Sequence, residues 1–222
     1  MAIYGDLESS VINSLPVGRQ PIRTRVVDKI NRNRMYEFVE KQLDQGRQAF
    51  VVYPLINESE SINAKAAIIE QNRLQNEVFP DRNVGLLHGR MKMEEKQLVM
   101  DNFREGNIDI LVSTTVIEVG IDFPNANVII IENANKFGLS QLHQLRGRVG
   151  RDVAQGTCVL LYKKNLSDNA RKRIKILKSS NDGFYIAEED MKLRGFGDIL
   201  GYQQSGIKNF RLADPIHHED LF

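Results

Sequence analysis

The most chemically loaded stretch of this chain is Gln141-Leu142-His143-Gln144-Leu145-Arg146-Gly147-Arg148-Val149-Gly150-Arg151. On a helix of 3.6 residues per turn, Gln144, Arg148 and Arg151 fall within an arc of about 60°. Two guanidinium groups and an amide on one stripe form a planar fork for oxyanions. Gly147 and Gly150 beside them permit close approach of a backbone or a ligand. The bland alternative is an amphipathic helix with solvated arginines, and a lone Arg-x-x-Arg would deserve that reading. Here glycines flank the arginines, and the stripe is expected on the ligand-bearing rim of a parallel sheet. Both points favour oxyanion binding.

A second candidate is Ser113-Thr114-Thr115-Val116-Ile117-Glu118-Val119-Gly120-Ile121-Asp122-Phe123-Pro124, directly after an apolar run that reads as a buried strand. Hydroxyls and backbone N–H groups at a strand's carboxyl end suit a phosphate. Gly120 allows a turn, and Asp122 can accept hydrogen bonds from a sugar hydroxyl or an arginine. A capped loop with an Asp-x-Pro turn explains the segment equally well, so taken alone the two readings are level.

The elements that must position these groups alternate along the chain. Helical spacing runs from Arg32 to Gln45, with Gly46 at its end. Ala49–Tyr53 is a compact apolar strand closed by Pro54. A long helix follows over Ser61–Val78, then a strand at Asn83–Leu87 and a helix over Lys92–Phe103. Strands at Asp109–Ser113 and Val128–Glu132 come next, then a helix from Leu139 to about Arg148 and a last strand at Thr157–Tyr162. This pattern predicts an α/β fold, a parallel sheet with helices on both faces. Ligands in such sheets sit at the carboxyl ends of the strands, which puts the loops after Val52, Leu87, Ser113 and Glu132 on one rim. The first thirty residues, with Pro16, Gly18 and Pro21, read as a connector. After Tyr162 the chain changes. Lys163–Lys178 carries seven basic residues and one acid, Asp168, and Gly183, Gly195, Gly197, Gly201 and Gly206 follow. The basic run is open to two equal readings, a track for phosphates or a solvated helix face.

Composition sets bounds on function. The chain has 222 residues, 41% hydrophobic and 27% charged, with a formal net charge of +1. That balance neither requires nor excludes a nucleic-acid partner. Cys158 is the single cysteine, so an intrachain disulfide and a cysteine-based zinc site are excluded. No apolar run approaches the ~20 residues of a membrane span, and the N-terminus lacks the basic region of a signal peptide. His217-His218 beside Glu219 and Asp220 read as polar residues near an exposed end, and no metal site is expected.

Together these segments resemble the second RecA-like domain of superfamily 2 helicases. Gln144-x-x-Gly147-Arg148-x-x-Arg151 matches that superfamily's sixth motif, Thr114 through Asp122 its fifth, and Val51-Val52-Tyr53-Pro54-Leu55 lies where its fourth does. His88-Gly89-Arg90-Met91 is similar to its loop that touches the nucleic-acid backbone. Asp182 through Gly206, with Glu188-Glu189-Asp190-Met191-Lys192-Leu193-Arg194-Gly195, resembles the translocation motif shared by the RecG and Mfd families. Asn181-Asp182-Gly183-Phe184 and Tyr4-Gly5-Asp6-Leu7 through Pro21 point to RecG. Phe196 stands where that family carries proline, and Asp152 where a small residue is commoner.

The resemblance implies roles for named residues. Arg148, Arg151 and Gln144 would be catalytic. Gly120, Asp122 and Gly147 would meet ATP. His88, Gly89, Arg90, Thr114 and Thr115 would meet DNA. Arg194, Gln204, Phe184 and Glu188 would couple hydrolysis to movement. It further implies a RecA-like domain over 31–165, a connector at 1–30 from a first motor domain, and a basic helix with the translocation-motif hairpin and its loop over 166–222. The chain has no Gly-x-x-x-x-Gly-Lys-Ser/Thr and no Asp-Glu-x-His/Asp run. ATP and Mg²⁺ are therefore expected mainly on the first motor domain, and this chain alone is expected not to hydrolyse ATP. The implied whole is a monomeric, cytoplasmic, nucleoid-associated bacterial translocase acting on branched double-stranded DNA, with a wedge-type DNA-binding domain upstream and no membrane partner. The alternatives are the equivalent domain of a transcription-repair coupling factor (Mfd), a passive DNA-binding module, and a self-contained nucleotide-binding enzyme. No glycine-rich fingerprint after a strand supports the last.

Overall fold

The computed structural model describes residues 20–55, 60–114, 123–150, 155–162 and 166–194. Among them, six strands form one sheet: β1 (Arg23–Asp28), β2 (Gln48–Val52), β3 (Val84–Leu87), β4 (Ile110–Ser113), β5 (Ala126–Ile131) and β6 (Thr157–Tyr162). Their spatial order is β1-β6-β5-β2-β4-β3, and every neighbouring pair is parallel. Strands β2, β4 and β5 are buried at every residue. That is why their centres read in the sequence as apolar runs, Phe50–Val52, Ile110–Val112 and Val128–Ile131, rather than as alternating patterns.

The helices are α1 (Arg32–Leu43), α2 (Glu60–Arg73, extended by a π-helical turn over Leu74–Val78), α3 (Met93–Arg104), α4 (Leu139–Arg146), α5 (Asp168–Ser179) and α6 (Gly183–Arg194). Successive strand residues face opposite sides. Ala49 and Val51 of β2 meet Met35, Val39 and Leu43 of α1 on one side, with Leu74 and Phe79 beside them. Phe50 and Val52 face the other side, where Phe103 of α3, Leu142 of α4, Leu177 of α5 and Ile186 of α6 pack. Phe50, Phe103 and Phe123 interlock there with ring centroids 4.9–5.7 Å apart. Local signals set the helix ends. The Lys92 N–H donates to Glu95 Oε2 at 2.9 Å ahead of α3, and Ser167 Oγ accepts from the Ala170 N–H ahead of α5.

The sheet contains a strand that the sequence did not announce. Residues 23–28 lie within the segment read as a connector, yet they pair with the full length of β6. On an edge strand, Thr24 and Val26 are only half-buried while Arg23 and Arg25 are exposed, so the apolar signal is diluted. Among the described residues, no helix is long and apolar enough to cross a membrane.

Candidate functional site

The parallel register brings strand ends to one rim, as the sequence reading expected. Val52 pairs with Ser113 and with Ile131, and Ser113 with Leu87. The Thr114 N–H donates to the Leu87 carbonyl at 3.3 Å, tying the ends of β3 and β4 together. Thr114 is buried and its Oγ1 has no hydrogen-bond partner; His88 Nδ1, one strand over, has none either. His88 is held below the ordinary histidine pKa, first by burial and then by the Lys96 and Arg90 charges. Gly89 and Arg90 are exposed beside it, and Lys96 Nζ donates to the Gly89 carbonyl at 2.8 Å. Buried polar atoms without partners are rare in folded proteins. Among the described residues, those of Arg32, His88, Thr114 and Asn135 lie on this rim, against Asn127 at the other end of β5. The rim therefore concentrates hydrogen-bonding capacity that the described residues do not use. Thr115, Gly120 and Asp122 lie outside the described residues.

Glu132 was not singled out from sequence. It follows β5, is buried, and pairs with Arg32 and, at 3.5 Å, with Lys29. It gathers two cations from the end of β1 and the start of α1 onto the rim.

The arginine segment lies elsewhere, which corrects two expectations. First, α4 ends at Arg146, so Arg148 is not on the helix and the stripe is not a helical one. The Gly147 N–H closes the last turn onto the His143 carbonyl at 3.1 Å, and the Arg148 N–H donates to the Leu145 carbonyl at 3.0 Å. Second, the segment is on the opposite edge from the rim. The Gly150 N–H donates at 3.3 Å to the carbonyl of Ala126, the first residue of β5. A helix that leaves the carboxyl end of a parallel strand must run back toward the amino ends before the next strand begins. Its last residues therefore arrive at the amino-terminal edge. Gly150 has φ +69°, and a Cβ there would meet the Gly156 backbone at 2.9 Å. Two glycine backbones in contact thus fix the turn that follows Arg148.

Gln144, Gly147 and Arg148 still converge. They line one open cleft of about 460 Å³ together with Pro21, Asn181 and Gly183. Gln144 is exposed and Arg148 half-buried. Arg151 lies outside the described residues.

Arg146, also passed over in the sequence, is the largest fully buried side chain among the described residues. Its Nη1 donates to the carbonyls of Leu177 (2.6 Å) and Ser180 (2.8 Å), and its Nη2 lies 3.0 Å from His143 Nδ1. Arg146 is held below the ordinary arginine pKa by burial. His143 is likewise lowered, first by burial and then by Arg146, which suits a neutral ring accepting at Nδ1. Arg146 thus clamps the end of α4 to the end of α5 and to the approach of α6. Helix α6 itself lies along α4. Ser140 Oγ donates to Asp190, and a Cβ on Gly183 would meet His143 Nε2 at 3.1 Å. Of the candidate coupling residues, Phe184 is 58% exposed, and Glu188 is an exposed residue paired with Lys192 at 2.9 Å. The backbone of Arg194 closes α6; its side chain and all of Gln204 lie outside the described residues.

Comparison with known proteins bears on both sites. The model of the helicase conserved C-terminal domain matches residues 31–153. A second, described as ATP-dependent DNA helicase RecG, domain 3, C-terminal, matches 180–219. The chain is 50% identical over 221 residues to the ATP-dependent DNA helicase RecG of Synechocystis sp., covering 100% of this chain and 26% of that one. It is 49% identical over 214 residues to the same helicase of Thermotoga maritima, covering 96% and 27%. The chain thus spans about a quarter of the length of these relatives. A solved structure of RecG bound to a three-way DNA junction superposes with a TM-score of 0.73 at 45% identity, over 94% of this chain and 26% of that one.

Proposed function

The chain belongs to the family of helicase conserved C-terminal domains, and on that premise we propose that it is the C-terminal motor half of an ATP-dependent double-stranded DNA translocase that remodels branched DNA. Its relatives' name and the junction-bound neighbour support this reading. The observation that carries it is a pair of polar sites at opposite ends of one parallel sheet, one after β3 and β4 and the other where α4 ends beside the start of β5. The rim holds His88, Gly89, Arg90 and Thr114 for a nucleic-acid backbone. The cleft holds Gln144, Gly147 and Arg148 for a phosphoryl group.

The donor chemistry of the cleft fits the terminal phosphate of ATP: a planar guanidinium and an amide beside a glycine turn. ATP supplies the phosphoryl transfer when bound between this chain and a first motor domain that holds Mg²⁺ and the remaining phosphates. Arg148, with Arg151, stabilises charge on the transferring group. Gln144 orients it, Gly147 lets it approach, and Gly120 and Asp122 complete the nucleotide site. On the rim, the unpartnered Thr114 Oγ1 and neutral His88 hydrogen-bond phosphate oxygens while Arg90 supplies charge, and Thr115 extends the contact. Domain closure moves α4, and α6 moves with it through Ser140–Asp190 and the His143–Gly183 contact. Phe184, Glu188, Arg194 and Gln204 pass that motion to the duplex. In this reading residues 31–165 form the motor domain and 166–222 the coupling appendage. The first motor domain and a wedge-type domain upstream complete a monomeric bacterial enzyme of the nucleoid.

The test separates the two sites in the full-length protein. Arg148→Ala is expected to lower DNA-stimulated ATP turnover by up to ~10³-fold, the lower range for trans-acting arginines, and to leave DNA affinity within about twofold, far less than a lost charged contact costs. Arg148→Lys is expected to rescue poorly, because an ammonium lacks the fork. Arg90→Ala is expected to weaken DNA binding instead. Wild-type turnover by Arg148→Ala would overturn the assignment.

A further inference from the structure

We propose that the outward face of α5 is a second DNA-backbone surface, which takes the phosphates of a duplex segment beyond the one held on the rim. This rests on the reading of the rim as a DNA site. Of the cations in α5, Arg173 turns inward and donates to the carbonyls of Phe137 (2.8 Å) and Asn135 (3.2 Å). The other four, Arg171, Lys172, Lys175 and Lys178, are all exposed. None of them forms a salt bridge with a described residue, whereas Lys192 on the neighbouring α6 is paired twice. Asp168 is the only acid in the helix. In a chain with a net charge of +1, this helix face therefore gathers four cations and a single acid.

Position and spacing favour a polyanionic strand. Helix α5 follows β6, so it starts at the rim and runs down the flank of the sheet toward the amino edge. Arg171, Lys175 and Lys178 stand at i, i+4 and i+7, spanning about 10 Å of helix axis. Three cations therefore stand in one line, placed to meet neighbouring phosphates of one strand. The rim loop at His88 lies at the far side of the sheet, five strand spacings from β1, against which α5 packs. Five spacings make about 24 Å, or roughly seven base pairs of duplex at ~3.4 Å each. The face carries no apolar anchor: its exposed residues are Asp168, Asn169, Arg171, Lys172, Lys175, Lys178 and Ser179. A protein interface would centre on aromatic or aliphatic anchors, and a membrane-surface helix would need an apolar face free to insert. The apolar side of α5, Ala170, Ile174 and Leu177, is already buried.

The experiment uses the full-length protein that carries this chain and a three-way DNA junction. The variant Arg171→Gln/Lys172→Gln/Lys175→Gln/Lys178→Gln is compared with wild type over a range of salt concentrations. Each lost phosphate contact reduces the slope of log K against log salt by ~0.9, so the slope is expected to fall by about 2–3. A charge-preserving variant, Lys172→Arg/Lys175→Arg/Lys178→Arg, is expected to keep the wild-type slope. An unchanged slope in the Gln variant overturns the proposal, and so does an equal loss in the charge-preserving variant. Arg90→Ala runs in parallel. If it binds normally while the α5 variant is weakened, the rim reading fails and the α5 surface stands. If it alone is weakened, the α5 surface fails and the rim reading stands.

Discussion

Three glycine-to-alanine changes separate backbone strain from steric conflict at the turn behind Arg148. At Gly46, φ is +73° and an added Cβ would meet nothing within 4 Å. Gly46→Ala therefore isolates the left-handed backbone penalty, which is ~1–2 kcal/mol less a few tenths regained from the stiffer unfolded chain. At Gly156 the reverse holds: no left-handed φ, but an added Cβ 2.7 Å from Gly150 Cα and 2.8 Å from its nitrogen. Backbone cannot swing aside as a side chain can, so the cost is that of overpacking, ~1–3 kcal/mol. Gly150 combines φ +69° with a contact of 2.9 Å to the Gly156 backbone. Gly150→Ala should thus cost about the sum, ~2–5 kcal/mol. For a chain of this length each kcal/mol is worth ~2–4 °C. Thermal unfolding should show Tm falling by roughly 4–20 °C for Gly150→Ala and roughly 2–8 °C for Gly46→Ala. In the full-length enzyme, Gly150→Ala should also lower ATP turnover, because the turn it distorts carries Arg148. A Gly150→Ala protein no less stable than Gly46→Ala would refute the packing argument. One with the expected instability and normal turnover would refute the link to Arg148.

Arg146→Met should destabilise the chain by ~2–4 kcal/mol, since it strips charged hydrogen bonds from two buried carbonyls and only part is regained by removing a buried charge. Denaturant titration measures it, and NMR titration should show His143 moving up toward the ordinary histidine value once the Arg146 charge is gone. Stability should also depend on pH through His88 and His143. Both folded pKa values are lowered from 6.5, so the folded state binds fewer protons than the unfolded state. Their contribution is fully present above 6.5 and is lost as pH falls through the folded values. Urea midpoints between pH 7.5 and 5.5 should drop in wild type and drop less in His88→Gln/His143→Gln; equal slopes would contradict the assignment.

Much of this molecule was legible in its residues. Runs such as Ile110–Val112 and Val128–Ile131 are apolar at every position because both faces of the sheet are covered, and a one-dimensional pattern reports that directly. Chemical type was legible too: the amide of Gln144, the bare backbone of Gly147 and the guanidinium of Arg148 are what the proposed oxyanion site needs, and they line one cleft. What spacing could not decide was where the fork lies. The helical arc assumed that α4 runs through Arg148, yet it stops at Arg146, because Gly147 and the left-handed Gly150 end it against Gly156, a partner supplied by the fold. The end of the sheet was likewise fixed by topology, since the crossover from β5 to β6 carries the fork away from the rim. Arg146 reads as one more cation in a basic segment. Only the tertiary structure brings the carbonyls of Leu177 and Ser180 around it, 31 and 34 residues away. A buried charge is made tolerable by partners that local sequence cannot name, and those partners decide whether an arginine faces a ligand or holds the fold.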